Sequence, residues 1–559
     1  MYSIVTFEEM CARVEPSKPL AFDTESTGLY EKTRLAQFYQ AGWDKVLLVE
    51  RPDEVQLQLF LDNCWVVMHN AHYDITAMQQ NCCNRWIPKK FDDTFLLARL
   101  HYPREEAFNL EAVMTYVLGY DPYKKAGFDK KEMQKSNWSG PLTKDQLMYA
   151  SIDVRYLLDV YDRVKAQDET MSYQIDMLTL KYCLDFQWNG MPVNMQKVML
   201  RRIENAKKLT ANPCPINPNS YIQVRRWLDT TESDDLGLAR LAAEGDERAA
   251  LIRLHRKVLK QNNFLTKYSK PRVIGKFKPS ARSGRLTSDD DNLQQIPRSL
   301  KEVFEAPPGK VFIYADYAQL ELRTIAVITK CIEMIRLFKD GQDLHDFVCK
   351  FLFREDFTKE ERQITKTCNF NFLYGGGILV FLGILLKQVG IKLGEAKAGE
   401  LRRKWRNLFK EISAWQERGI AAHRAGKTWK TPFGREYLGK LMTDQLNIQN
   451  QGFGAEVAKL ALHYIMKGGL PKDVLLCDFI HDSFIIEAPD DPAIYEPIAK
   501  HVGDSMQEAW FEACKMAPVH DLPMPVKVFV GKNWGDIEKG EGIIHKYELK
   551  GLELAPEPV

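Results

Sequence analysis

The spacing of apolar residues changes several times along the chain. Between Met1 and Arg163, short apolar runs alternate with helical patterns. Leu20-Ala21-Phe22, Val46-Leu47-Leu48-Val49 and Cys64-Trp65-Val66-Val67-Met68 read as strands, and Ile75–Gln80, Thr94–Arg99 and Lys144–Val164 read as helices. That alternation predicts an α/β domain. A long helical stretch is predicted from about Glu169 to Leu209, ended by Asn212-Pro213-Cys214-Pro215 and Asn217-Pro218-Asn219-Ser220. Helical segments resume to about Lys260. Val311–Ala315 then reads as a buried strand, and helices dominate from Glu321 to Arg424. Val474–Cys477 and Phe484–Ile486 form a second pair of strands, followed by a helix around Pro492–Lys515. Leu554–Val559 reads as a loose tail.

A chain of 559 residues exceeds what one hydrophobic core supports, so at least two domains are expected. With 45% hydrophobic and 27% charged residues the composition is that of a soluble globular protein. The net charge of +2 says nothing about a nucleic-acid partner, but its distribution does. No Asp or Glu occurs from Arg253 to Arg285, where Lys and Arg recur among Phe264, Tyr268 and Phe277. Alone this is a solvated face; leading into the motifs below, it reads as a phosphate contact. The eleven Cys show no zinc spacing and read as reduced thiols of an intracellular protein. The N-terminus has no secretory or transit pattern, and no apolar run spans a membrane, so a cytoplasmic protein without a membrane partner is expected.

Two groups of carboxylates carry chemistry. Asp23 and Glu25, two apart at the end of the first strand, share a face, as do Tyr149 and Asp153, four apart in a helix. Asp74 follows Asn70 in His69-Asn-Ala-His-Tyr-Asp74. Four carboxylates on one rim can hold two magnesium-like ions that activate water against a phosphodiester, and a tyrosine beside them can orient that water. His69 and His72 read as packing or hydrogen-bonding residues. In the second group, Asp316 stands at a strand end and Asp482 in a tight turn between two strands. Between them Arg362, Lys366, Phe370 and Tyr374 are each four apart, a helical face with two cations followed by two rings that suits a nucleotide.

The first group resembles the DEDD-type 3′→5′ exonuclease domain of family A DNA polymerases, through Asp23-Thr24-Glu25, Asn70…Asp74 and Tyr149…Asp153. The second resembles the polymerase motifs of the same family: Asp316–Arg323, Arg362–Gly375 and His481-Asp482. Arg282-Ser-Gly-Arg285, Asn292–Pro297, Asp343-Leu-His345 and Asn447–Gly452 extend the likeness over nearly the whole chain. The resemblance implies a ribonuclease H-like α/β exonuclease domain (residues 1–168) beside an α+β right-hand polymerase domain (residues 169–559). Within the latter, the thumb would span about 185–280, the palm about 281–345 and 435–559, and the fingers about 346–434.

It also implies site roles. Asp23, Glu25, Asp74 and Asp153 would be metal ligands, with Tyr149 beside them. Asp316, Asp482 and the Tyr317 carbonyl would hold the polymerase metals, two Mg2+ per active site with Mn2+ as substitute. Arg362, Lys366, His345 and Gln319 would bind the incoming dNTP, and Phe370 would stack on it. Glu321 and Tyr374 would exclude a 2′-hydroxyl. Arg285, Asn447, Gln451 and His481 would meet the primer–template DNA. Phe370 in place of Tyr would leave a gap that disfavours dideoxynucleotides.

Three positions depart from the family pattern: Ser483 replaces Glu, Asn371 replaces Gly, and Ala318 replaces Ser. None is a metal ligand. The implied function is replicative, template-directed DNA synthesis with 3′→5′ proofreading. The alternative is an exonuclease whose polymerase module is weakly active or only binds DNA. The exonuclease pattern begins near Met1, so no 5′ nuclease domain is expected before it, and the short thumb leaves no room for a large insertion that would bind a processivity partner; the expectation is a compact, bacteriophage-like monomer. A replisome helicase or primase, or a single-strand-binding protein, would be its partners.

Overall fold

The computed structural model describes residues 1–165 and 170–549. The tail expected at Leu554–Val559, the boundary expected at residue 168 and the helix start expected at Glu169 lie outside them. The chain forms two compact units, one of Met1–Trp188, Phe277–Thr287 and Phe433–Leu438, the other of Asn189–Lys276, Ser288–Pro432 and Gly439–Val559.

The first unit is built on strands β1 (Tyr2–Ile4), β2 (Pro19–Ser26), β3 (Thr33–Gln40), β4 (Val46–Glu50), β5 (Trp65–Met68) and β6 (Lys90–Asp93). Their order is β1-β4-β3-β2-β5-β6. β2, β3 and β4 run antiparallel, while β1 joins β4, and β5 joins β2 and β6, in parallel. The parallel register of β2 with β5 stops at Ala21 paired to Val67. Asp23 and Glu25 therefore project past the end of the neighbouring strand, the place where ligands of such sheets collect.

The helix expected over Lys144–Val164 is two helices, Lys144–Arg155 and Leu157–Lys165, parted at Tyr156. The first packs on β2, β3 and β4, the second on β2 and β5 and on the helices Thr94–His101 and Leu110–Leu118, so each half follows its own surface. The long helix expected to Leu209 is also broken, into Met171–Phe186 and Met195–Ala211. Gly190 at φ 63° makes the turn, where a side chain would lie 3.0 Å from the Val273 carbonyl oxygen, and Met191-Pro192 pairs with Arg272-Val273.

The helix Met171–Phe186 belongs to the first unit. The Tyr173 hydroxyl donates to Asp92 Oδ1 at 2.7 Å, and Arg435 pairs with the buried Asp176 at 2.7 Å. This unit runs to Trp188.

The second unit carries an antiparallel sheet of β7 (Lys310–Tyr317), β8 (Leu475–Ile480), β9 (Ser483–Pro489), β10 (Val526–Gly531) and β11 (Ile543–Leu549), ordered β8-β9-β7-β10-β11. The helix Pro492–Cys514 covers this sheet and packs against Met442–Met466. The basic run, expected to meet phosphates, keeps most of its cations at the surface, but not all of its rings. Its first part lies in the helix Glu247–Lys267, and Tyr268 and Phe277 are buried in packing against Phe304 and Phe186 respectively. Those two rings are core residues, closed to nucleic acid. No helix among the described residues is long and apolar enough to cross a membrane.

Candidate active sites

In the first unit, Asp23, Glu25 and Asp153 offer carboxylate oxygens within 4.8 Å of one another. Asp153 arrives from the helix Lys144–Arg155, whose packing on β2 brings it over the strand end. Asp74 sits on the helix His72–Cys82 and lines the same cavity, but its Oδ1 accepts the Thr24 hydroxyl at 2.6 Å. Burial and mutual repulsion push Asp23 and Glu25 well above the usual carboxylate range. Burial raises Asp74 to about 7, against the pull of the Thr24 hydrogen bond.

The enclosing cavity, about 650 Å³, is also lined by Asn70, Phe95, Phe108, Tyr149, Lys130 and Lys278. The set of hard oxygen donors at this spacing fits a divalent cation such as Mg2+. Tyr149 is buried four residues before Asp153, with Gln134 bonded to its hydroxyl and burial raising its pKa. His69 bonds Thr94 and the Phe108 carbonyl oxygen at 2.9 Å each, and His72 bonds Gln187 at 3.1 Å. Both histidines are structural, as expected.

Three residues here, Asp93, Lys130 and Tyr123, escaped the sequence reading. Asp93 is buried, accepts the backbone N–H groups of Asn70, Ala71 and Phe95, and so anchors the turn that carries Asp74. Asn70 takes a left-handed φ of 63° at that turn. Thr24 holds Asp74, and Lys130 and Tyr123 both bond Asp153. The doublet Asp92-Asp93 at a strand end was the one available signal; nothing in the local sequence sets Lys130 apart.

In the second unit, β7 ends in Asp316 and Tyr317, and a two-residue turn from Ile480 to Ser483 carries His481 and Asp482. His481 is exposed in a left-handed conformation, φ 57°. The register sets Asp316 opposite Ser483, which brings the two strand ends together. Burial, then Asp482, then Glu538 raise the Asp316 carboxyl well above its usual range. Glu538, ion-paired with Lys301, is a third acid of this neighbourhood that the sequence reading missed. Ser483 hydrogen-bonds Tyr314 and the Ile480 carbonyl oxygen, so it stays within the sheet. The Tyr317 hydroxyl donates to the Met506 carbonyl oxygen at 2.5 Å, and Gln319 starts the helix Leu320–Thr329 with φ 59°.

The helix Lys359–Leu373 presents Arg362, Lys366 and Phe370 toward solvent. Lys366, Phe370, Tyr374 and Asn447 line one cavity of about 550 Å³. Arg362 is held by Asp346 at 2.5 Å and Asp343 at 3.3 Å. Burial lowers His345 to about 4, so it is neutral near pH 7. Trp405 Nε1 donates to Asn369 Oδ1 at 2.8 Å, which turns the Asn369 amide nitrogen to His345 Nδ1 at 2.9 Å. His345 thus accepts at Nδ1 and has Nε2–H to give as a neutral donor.

The Tyr374 hydroxyl donates to Glu321 at 2.6 Å. Asn450, a buried residue the sequence reading passed over, bonds the Glu321 carbonyl oxygen at 3.0 Å and the Tyr374 hydroxyl at 3.2 Å. Gln451 also bonds Tyr374. Arg285 belongs to the first compact unit, and Asn447 and Gln451 to the second.

Residues 229–536 match the model of DNA polymerase family A, and residues 2–167 match that of a 3′-5′ exonuclease. DNA polymerase I of Aquifex aeolicus (strain VF5) is 24% identical over 93% of this chain and 96% of its own length. The thermostable DNA polymerase I of Thermus filiformis is 29% identical over 45% of this chain and 31% of its own length. A solved structure described as the POL domain of Pol1 from M. smegmatis in complex with DNA primer-template and dNTP superposes with a TM-score of 0.74 at 18% identity. The match covers 92% of this chain and 95% of that one. The chain belongs to DNA polymerase family A. It is a DNA-directed DNA polymerase that also carries a 3′→5′ exonuclease domain.

Proposed function

We propose that the two acid clusters work as separate two-metal sites, one extending a primer and the other trimming it. The observation that carries this reading is the pair of independent carboxylate groups, Asp23–Glu25–Asp153 with Asp74, and Asp316 with Asp482, each fixed by its own sheet. Mg2+, or Mn2+ as substitute, would be held by these acids and by the Tyr317 carbonyl. It would supply Lewis acidity to the attacking and leaving oxygens.

The chain's own residues do the rest. Lys366 and Arg362 neutralise the triphosphate of a dNTP, with His345 Nε2–H and Gln319 as further donors. Phe370 covers the sugar and base, while Glu321, tied to Tyr374, fills the space a 2′-hydroxyl would need. Asn447, Gln451, Arg285 and His481 contact primer–template DNA, such as the M. smegmatis structure contains. In the other site, Tyr149 orients the water that attacks the terminal phosphodiester. With the thumb at about 185–280 and the palm at about 281–345 and 435–559, the fingers, about 346–434, would close on a correct nucleotide.

The same reading makes the protein a replicative, monomeric, cytoplasmic enzyme working with a helicase or primase and a single-strand-binding protein. A compact phage-like design is part of that reading; the relatives named above are bacterial.

Primer extension and primer shortening, measured with Mg2+ on one labelled primer–template, test it. Asp482→Ala is expected to lose extension and keep shortening, and Asp23→Ala the reverse, each by about 10³-fold or more. Wild-type shortening without extension would instead favour an exonuclease whose polymerase module only binds DNA.

A further inference from the structure

Lys130 lies in the short helix Lys130–Gln134, with its side chain only 7% exposed, and it lines the exonuclease cavity. Its ammonium donates to Asp153 Oδ1 at 3.0 Å and to the Tyr123 hydroxyl at 2.8 Å, and it stands 4.3 Å from the centre of the Tyr123 ring. The Tyr123 hydroxyl in turn donates to the same Asp153 oxygen. Asp153 is therefore gripped through one oxygen by two buried donors, which fixes its plane and leaves Oδ2 for a cation.

The charges agree with this geometry. Four carboxylates crowd this cavity, and Lys130 is the ammonium bonded directly to one of them, so it offsets part of their negative charge at Asp153. A buried ammonium is costly unless it is paired and useful, and this one is paired to a single acid among four.

We infer that Lys130, with Tyr123, is a positioning residue of the exonuclease: it locks Asp153 through Oδ1 and supplies a fixed positive charge that favours the transition state. This rests on the metal-site reading of the four carboxylates.

Single-strand degradation and Mn2+ binding, the latter measured without DNA in an Asp316→Ala/Asp482→Ala background, test it. Lys130→Met is expected to lower kcat by about 10–100-fold, with KM changed by less than about threefold. It is also expected to bind Mn2+ at least about threefold more tightly, because a positive charge has left the site. A structural lesion would weaken both properties, so the opposed signs mark the role. Lys130→Arg should keep Mn2+ affinity within about twofold of wild type and restore part of kcat. Tyr123→Phe, which removes no charge, should lower kcat less than Lys130→Met and leave Mn2+ affinity unchanged; it carries the test if Lys130→Met does not fold. Wild-type kcat in Lys130→Met or Tyr123→Phe, or weaker or unchanged Mn2+ binding in folded Lys130→Met, overturns the inference. An Asp23→Ala protein that still degrades single strands would instead overturn the metal-site reading beneath it.

Discussion

The two catalytic centres solve the same electrostatic problem in different ways. The exonuclease cavity gathers four carboxylates with Lys130 and Lys278, and two of the acids are held by partners from the same unit. Thr24 holds Asp74, Lys130 and Tyr123 hold Asp153, and Asp93 fixes the turn beneath. The polymerase centre has Asp316 at a strand end and Asp482 in the adjoining turn, with Glu538 nearby. Its cations and rings stand on a separate helix, Lys359–Leu373, with Lys366 and Phe370 exposed to solvent. On the proposed reading, the first centre would be assembled before substrate arrives and the second completed by the nucleotide. Preorganisation suits removal of any 3′ terminus, whereas selection among four nucleotides needs a step that only the correct one completes.

The sharpest test of this division is Lys366→Ala. Extension should fall by about 100-fold or more while shortening stays at the wild-type rate in the same assay. Equal loss of both activities would break the comparison. A smaller effect is expected from Phe370→Tyr, which adds a hydroxyl at the mouth of the nucleotide cavity. Competition between dideoxy- and deoxynucleotides should shift by roughly tenfold toward the dideoxy form, and unchanged ratios would remove Phe370 from that contact. Tyr374→Phe loses the bond to Glu321, so ribonucleotide incorporation should rise about fivefold, read by alkaline cleavage of the product. No rise would show that Glu321 is held by its other contacts.

The smallest expected effect lies in the preassembled centre. Asp74, raised to about 7, keeps a proton in the folded state that an unfolded carboxyl releases near pH 4. That contribution to stability is present below about pH 4 and is lost as pH rises toward 7. With chelator present, Asp74→Asn should therefore gain on wild type as pH rises, reaching roughly 2–4 °C in Tm at pH 8. A constant difference from pH 4 to pH 8 would refute the assignment.

The sequence showed the motifs far better than their supports. Asp23, Glu25, Asp316 and Asp482 stand at strand ends, where a short apolar run and the next polar residue announce the geometry. β3 was invisible because Thr33, Arg34, Gln37 and Gln40 interrupt its apolar pattern, yet all eight of its residues are buried. β11 was missed because its inner-facing residues are only partly buried and its pattern is weak. The break at Gly190 was hidden because helical patterns flank it, and only the approach of Val273, distant in sequence, demands the turn. Lys130, Asp93 and Asn450 were out of reach for the same reason: each gains its role from a partner brought by tertiary packing.

The setting of Arg362 has a consequence for ionic strength. The guanidinium rests between Asp343 and Asp346, on side chains about 40% exposed, where such pairs contribute little. A triphosphate bound as proposed would not meet a bare cation; it would trade places with two carboxylates. The number of ion pairs at that arginine hardly changes in the exchange, so added salt weakens the two sides alike. Nucleotide capture at Arg362 should therefore tolerate salt that strips the enzyme from its template, where each phosphate contact releases counterions with no such trade.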